Sequence, residues 1–192
     1  MNYLKEIKIL LLCAVIVVIS TSCDREPSLK YEDLPVRPIL ESDIIRFQKA
    51  YSDSFNAISE AIEDNSYYET TAKKHIDQNY NFEEEKVMFK IGHDSTDPYR
   101  YTYGGVLSYL IGKNKTFPND YGIAKDNWKK IEWINEGILS DDENSDVAVV
   151  MGKVKMIKDN NDIIVQNFTM CLKRNSSGRI KIIVHKIARP CK

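Results

Sequence analysis

The 192-residue chain holds only three histidines, four cysteines and two tryptophans, and it lacks the motifs those residue types usually form. No Cys-x-x-Cys is present, so neither a thioredoxin-type redox pair nor a cysteine zinc cluster is encoded. His-Glu-x-x-His, Gly-x-Ser-x-Gly, Gly-x-Gly-x-x-Gly and Gly-x-x-x-x-Gly-Lys-Ser/Thr are all missing. Their absence removes the helical zinc protease, the nucleophile elbow and the two common nucleotide-phosphate loops. A surplus of one charge is missing too: 27 Lys and Arg stand against 28 Asp and Glu. Nucleic-acid binders carry a basic stripe, so no nucleic-acid partner is expected. Eight Gly and six Pro exclude collagen-like and low-complexity character. His75 with Asp77, and His93 with Asp94, are donor pairs without a third ligand at metal-site spacing, so neither a metal nor another cofactor is expected. What remains is an ordinary folding composition, 43% hydrophobic and 29% charged, with length for one domain.

The N-terminus reads as an address. Lys5 and Lys8 precede an unbroken apolar run, Ile9 to Ile19. A membrane-spanning helix needs roughly 20 apolar residues, so this run is short for an anchor and suits a signal peptide. Ser20, Thr21 and Ser22 then lead to Cys23. The pattern resembles a bacterial lipoprotein signal, which implies cleavage after residue 22 and acylation of Cys23. Residues 1–22 are thus expected to be the signal and residues 23–40 an acidic tether, which holds Pro27, Pro35 and Pro38. Residues 41–192 form the domain. The expected partner is a lipid bilayer, and the expected place is the bacterial cell envelope, at the outer membrane or cell surface. Of the other cysteines, Cys13 lies in the signal. If residues 175–178 turn a hairpin, Cys171 faces Ile182 and lies far from Cys191, so two free thiols are expected.

Within the domain, Ile44, Phe47, Tyr51, Phe55, Ile58 and Ile62 recur at three- and four-residue steps, the stripe of one buried helix face. A second helix is expected from Ser66, with Ser66 and Glu69 as a capping box. Val87–Ile91 is a short apolar run. Tyr99–Ile111, rich in aromatic and β-branched residues, reads as extended chain kinked at Gly104-Gly105. Strands are expected at Trp128–Ile138, Val147–Ile157, Ile163–Lys173 and Ile180–Ala188, joined by tight turns at 159–162 and 175–178. Short loops imply antiparallel pairing. The fold class is α+β, with N-terminal helices packed on a curved antiparallel sheet.

Helix, helix and curved meander in this order resemble the cone-shaped nuclear-transport-factor-2-like (cystatin-like) fold. A narrower resemblance is to the iota-class carbonic anhydrases, which include metal-free enzymes on that fold. The matching segments are Phe89-Lys90-Ile91-Gly92, Arg100-Tyr101-Thr102, Ser108-Tyr109-Leu110-Ile111-Gly112, Gly122-Ile123-Ala124 with Trp128, Val150-Met151-Gly152, and His185 to Pro190. The resemblance implies a bicarbonate pocket built from a Thr, a Tyr, a His and a Ser. Tyr109 and His185 match that set. Gly92 stands at the Thr position, and Lys186, Ile187 and Ala188 replace His-Ser-Ser.

The candidate catalytic residues are therefore Tyr109, as a donor to developing charge, and His185, as the group that orients water or an anion. The bland alternative for His185 is a core histidine bonded to a tyrosine hydroxyl. Arg100, Thr102 and Trp128 are the candidate ligand-binding residues, and Cys23 is the lipidation site. Either Gly92 and Ile187 are real losses, or a residue from the helices, such as Tyr51 or Tyr68, compensates for them. Because those losses fall at the chemistry, the favoured reading is a lipid-anchored envelope protein whose domain binds a small anion or apolar ligand, or self-associates, without turnover. A homo-oligomer is expected from the apolar last strands. The alternative is a metal-free iota-type carbonic anhydrase, catalysing reversible CO2 hydration.

Overall fold

The stripe that begins at Ile44 forms helix α1, Glu41–Glu63, which buries Ile44, Phe47, Tyr51, Phe55 and Ile58 along one face. The computed structural model describes residues 37–92, 97–140 and 145–188, all within the unit Val36–Lys192. The expected signal, Cys23 and the tether up to residue 36 lie outside the described residues, as do His93 and Cys191. The start of α1 is pinned by charge. Asp43 accepts from the Leu40 amide at 3.2 Å and from Arg174 Nη2 at 2.8 Å. Arg174 also donates to the carbonyls of Arg37 and Pro38, which ties the entering chain to the sheet.

Helix α2 spans Tyr68–Asn79 and packs on α1. The expected capping box does not form. Ser66 still belongs to the turn that leaves α1, where its hydroxyl donates to the Ala61 carbonyl, and Glu69 pairs with Lys73 instead. The segment Tyr99–Ile111 is also different from its expected form. Only the short strand β1, Met88–Lys90, with an isolated bridge from Lys90 to Tyr99, is extended here. Tyr103–Ile111 is a helix, α3. Thr102 caps it, accepting from the Gly105 amide at 3.0 Å, and Gly112 ends it at φ +72°. Aromatic and β-branched content favoured a strand, but the cap and the burial of Val106, Tyr109, Leu110 and Ile111 decide for a helix.

A single-turn 3-10 helix, Ile123–Asp126, leads into the meander: β2 Trp128–Ser140, β3 Val147–Lys158, β4 Ile163–Arg174 and β5 Ile180–Ala188. The spatial order is β1-β5-β4-β3-β2, with β1 parallel to β5 and every other pair antiparallel. This is the expected α+β arrangement of helices on a curved, mostly antiparallel sheet. Cys171 is a free, half-buried thiol.

Three bulges decide which side chains face the helices. On β2 the register shifts between Trp128 and Lys130 and again between Asn135 and Gly137. At the second shift the backbone closes on β3, where a Cβ on Gly152 would lie 2.0 Å from the Ile134 carbonyl. Only glycine fits there. On β5, Leu172 pairs with Ile182 and Cys171 with Val184, leaving Ile183 as the extra residue. The expected pairings of Cys171 with Ile182 and of His185 with Phe168 are corrected in two steps: the turn between Arg174 and Ile180 already sets Leu172 opposite Ile182, and the bulge adds one more residue, so that Cys171 faces Val184, His185 faces Met170 and Phe168 faces Ile187.

Candidate active site

The β5 bulge turns His185 and Ile187 onto the same inner face as Ile182, and all three are buried. His185 is 1% exposed. Its ring stacks on Phe89, its pairing partner on β1, with centroids 4.8 Å apart and planes 14° apart. Its Nδ1 lies 2.9 Å from the Tyr80 hydroxyl. Tyr80 follows α2, bridges to Ile182 beside β5, and so reaches the back of the imidazole. The Tyr80 hydroxyl lies 3.3 Å from that of Tyr51 on α1. The second ring nitrogen, Nε2, is buried with no hydrogen-bond partner among the described residues.

That nitrogen belongs to a residue lining a cavity of about 20 Å³, room for roughly one water. Tyr51, Tyr109, Trp133, Gln166 and Ile187 line it with His185. Gln166 Oε1 is a second buried atom without a partner among the described residues. Tyr109, on α3, meets Phe89 edge-on at 5.0 Å. Outside the cavity a groove of about 560 Å³ runs between α1 and β2, and it shares Ile131 and Trp133 with the cavity. Trp133 is fixed there by its Nε1 donating to Ser52 Oγ at 2.8 Å.

The site is buried and uncharged. Burial, with His75 nearby, holds the His185 imidazole down at about 3. Burial lifts the Tyr51 hydroxyl to about 12 and those of Tyr80 and Tyr109 well above 10. At neutral pH the cavity therefore faces a neutral imidazole and intact phenols, which offer directed dipoles and no ion. A second buried histidine, His75, lies 4.7 Å ring to ring from Tyr51, outside the cavity lining. Its Nδ1 meets Ser54 Oγ at 2.7 Å, and its Nε2 also has no partner among the described residues. No three His, Cys, Asp or Glu side chains converge among the described residues.

The expected site residues separate. His185 and Tyr109 come together at the cavity, and Tyr51 joins them from the helix; Ile187 also lines the wall. Tyr68 does not, as its hydroxyl instead accepts from Lys113 Nζ. Arg100 lies elsewhere, its guanidinium donating to both Asp120 oxygens at 2.9 and 2.7 Å and to the carbonyls of Asp97 and Tyr99. Thr102 serves as the cap of α3. Trp128 is buried beside the 3-10 helix, donating to the Ile123 carbonyl at 2.6 Å. Trp133, Tyr80 and Gln166 were not singled out from the sequence. Strict alternation from Trp128 puts Trp133 outside, and only the bulge after Trp128 reverses this.

Comparison with known proteins bears on this arrangement. The metal-independent carbonic anhydrase pattern matches residues 42–188, which include the helices, the cavity wall and His185. The chain belongs to the metal-independent carbonic anhydrase family. A metal-independent carbonic anhydrase of Nostoc sp. (strain PCC 7120 / SAG 25.82 / UTEX 2576) is 29% identical over 157 residues, covering 80% of this chain and 75% of that protein. The crystal structure of the iota-carbonic anhydrase from a cyanobacterium, complexed with bicarbonate, is similar at a TM-score of 0.76 and 27% identity. That match covers 88% of this chain and 99% of the other. A nuclear-transport-factor-2-like protein from Pseudomonas putida KT2440 gives a TM-score of 0.47 at 10% identity, over 79% of this chain and 87% of that one. The metal-independent carbonic anhydrase match favours the enzymatic alternative over binding without turnover.

Proposed function

We propose that the chain catalyses the reversible hydration of CO2 without a metal, in the cavity beside His185. The observation that carries this reading is that His185, whose buried Nε2 has no partner among the described residues, lines a water-sized cavity with Tyr109, in a chain of this family. Nε2 is the group that positions the attacking water. The Tyr109 hydroxyl, which stays protonated at neutral pH, donates toward charge developing on the CO2 oxygens. The bicarbonate of the cyanobacterial relative supports a small anion as the other occupant. The leader sequence through Cys23 supports placing this activity on a lipid anchor in the bacterial envelope.

A second reading, binding of a small ligand without turnover, draws on one observation. Ile187 puts an apolar side chain on the cavity wall, at the position where the resemblance to the iota-class carbonic anhydrases implies a Ser. Stopped-flow CO2 hydration by the full chain, with chelator present, separates the two. A chelator-resistant rate is expected, reduced about 100-fold or more in Tyr109→Phe and His185→Ala. A rate equal to buffer from folded protein would overturn the enzymatic reading.

A further inference from the structure

The hydrogen bonds behind the cavity assign work to two tyrosines, an inference that rests on the CO2-hydration reading. His185 Nδ1, the Tyr80 hydroxyl and the Tyr51 hydroxyl form one chain with steps of 2.9 and 3.3 Å. Its two ends, His185 and Tyr51, line the same cavity of about 20 Å³. Its middle member, Tyr80, is 2% exposed and does not line that cavity. A phenol donates one hydrogen bond and accepts others, and a neutral imidazole donates at one nitrogen and accepts at the other. Such a chain therefore has two polarities. In the first, Nδ1–H donates to Tyr80, Tyr80 donates to Tyr51, and Nε2 turns a lone pair to the cavity. In the second, Tyr51 donates to Tyr80, Tyr80 donates to Nδ1, and Nε2–H faces the cavity.

We propose that one turnover converts the first polarity into the second, with Tyr80 and Tyr51 relaying the proton that His185 takes from water back to the reactants. The balance closes. Water oxygen forms the new bond to the CO2 carbon, and one C=O π bond opens. The proton lost by water goes to Nε2, the Nδ1 proton goes to Tyr80, the Tyr80 proton goes to Tyr51, and the Tyr51 proton goes to the opened CO2 oxygen. The product formed in the cavity is neutral carbonic acid, which ionises after leaving. The next water resets the chain by taking the Nε2 proton and giving one to Tyr51, with no net change in the water.

The surroundings explain why a relay serves better than a histidine that keeps its proton. Apolar Phe55, Ile131, Val154, Met156 and Ile187 share the cavity wall. A bare imidazolium or bicarbonate ion formed there has little solvation. Burial already holds the His185 imidazole far below neutrality, so it is a weak base unless its other proton leaves at the same time. Coupled transfers along neutral donors avoid both ions.

The test uses the full chain, with folding checked by near-ultraviolet circular dichroism. Tyr51→Phe removes the last relay group but leaves the Tyr80–His185 bond in place. The relay requires a fall in kcat of at least about 100-fold. Tyr80→Phe is expected to lose as much and to change the His185 ring 15N shifts that report the tautomer. Rates measured across H2O/D2O mixtures are expected to curve with deuterium fraction, since several protons move together. A wild-type rate in Tyr51→Phe, or a straight line in the isotope series, would overturn the relay and leave the CO2-hydration reading standing. A folded wild-type chain with no rate above buffer would overturn that underlying reading itself. If Tyr80→Phe does not fold, Tyr51→Phe and the isotope series decide.

Discussion

Two buried polar regions of this molecule are built on opposite terms. Around Arg100 and Asp120 the groups are matched. Arg100 is fully buried, its fork meets both oxygens of Asp120, its remaining donors reach two carbonyls, and the Phe117 ring lies 4.1 Å from its carbon centre. Around His185 and His75 the groups are equally buried, yet each imidazole keeps one nitrogen without a partner among the described residues. A buried polar atom without a partner costs about 1–3 kcal/mol, and folding alone gives no reason to retain several. The contrast teaches that burial does not mark a site; incomplete satisfaction next to a cavity does. Arg100 spends its donors on Asp120 and two carbonyls, whereas His185 keeps a buried nitrogen without a partner among the described residues and lines the cavity.

The largest expected effect breaks the matched side. Arg100→Met leaves the Asp120 carboxylate buried beside an apolar chain, and a loss of about 3–5 kcal/mol is expected in urea unfolding. The double change Arg100→Met with Asp120→Leu is expected to recover most of it, because apolar side chains of similar size can replace a buried pair. The rate of CO2 hydration per folded molecule should stay near wild type in the double variant. A lost rate in a stable double variant would tie the Arg100–Asp120 pair to the chemistry, through the Asp120 charge that acts on Tyr109.

A smaller effect is expected on the unmatched side. Ile187 lines the cavity, at the position where the resemblance to the iota-class carbonic anhydrases implies a Ser. Ile187→Ser returns a hydroxyl to the wall and opens space for water. One hydrogen bond to the reacting groups is worth about 1 kcal/mol, so a rise in kcat/KM of about fivefold is expected, alongside a stability loss of about 2 kcal/mol. An unchanged rate would mean that Tyr51 and Gln166 already fill the role of the missing hydroxyl.

The same contrast explains what was legible beforehand. The α1 stripe, the four long strands and both tight turns follow from period and turn residues. Tyr109 and His185 follow from the resemblance, and the cavity brings them together. Bulges were not legible. Nothing in Ile182-Ile183-Val184 announces an extra residue, yet it moves His185 from opposite Thr169 to opposite Met170 and onto the inner face. The bulge after Trp128 likewise carries Trp133 inward. Helix α3 was hidden by its aromatic content, although Thr102 and Gly112 mark its two ends. Tyr80 carried no signal, because it reaches His185 across 105 residues of sequence.

The gentlest probe of the unmatched region is acid. His75 and His185 are both held at about 3 by burial, against an ordinary value of about 6.5 in the unfolded chain. Below 6.5 the unfolded chain takes up protons that the folded one refuses, so stability is complete above that pH and falls as pH drops toward 3. The slope is roughly 1 kcal/mol per pH unit for each histidine. The neighbours of His75 are uncharged: Tyr51, Ser54 and Phe55 on α1, Asn79 on its own helix, and Tyr80 beyond it. His75→Gln is therefore expected to remove about half of the histidine contribution to the slope between pH 7 and pH 5, read from urea midpoints. Equal slopes in wild type and variant would mean that His75 accepts a proton while folded. Water would then reach its Nε2, and the region would be solvated rather than unmatched.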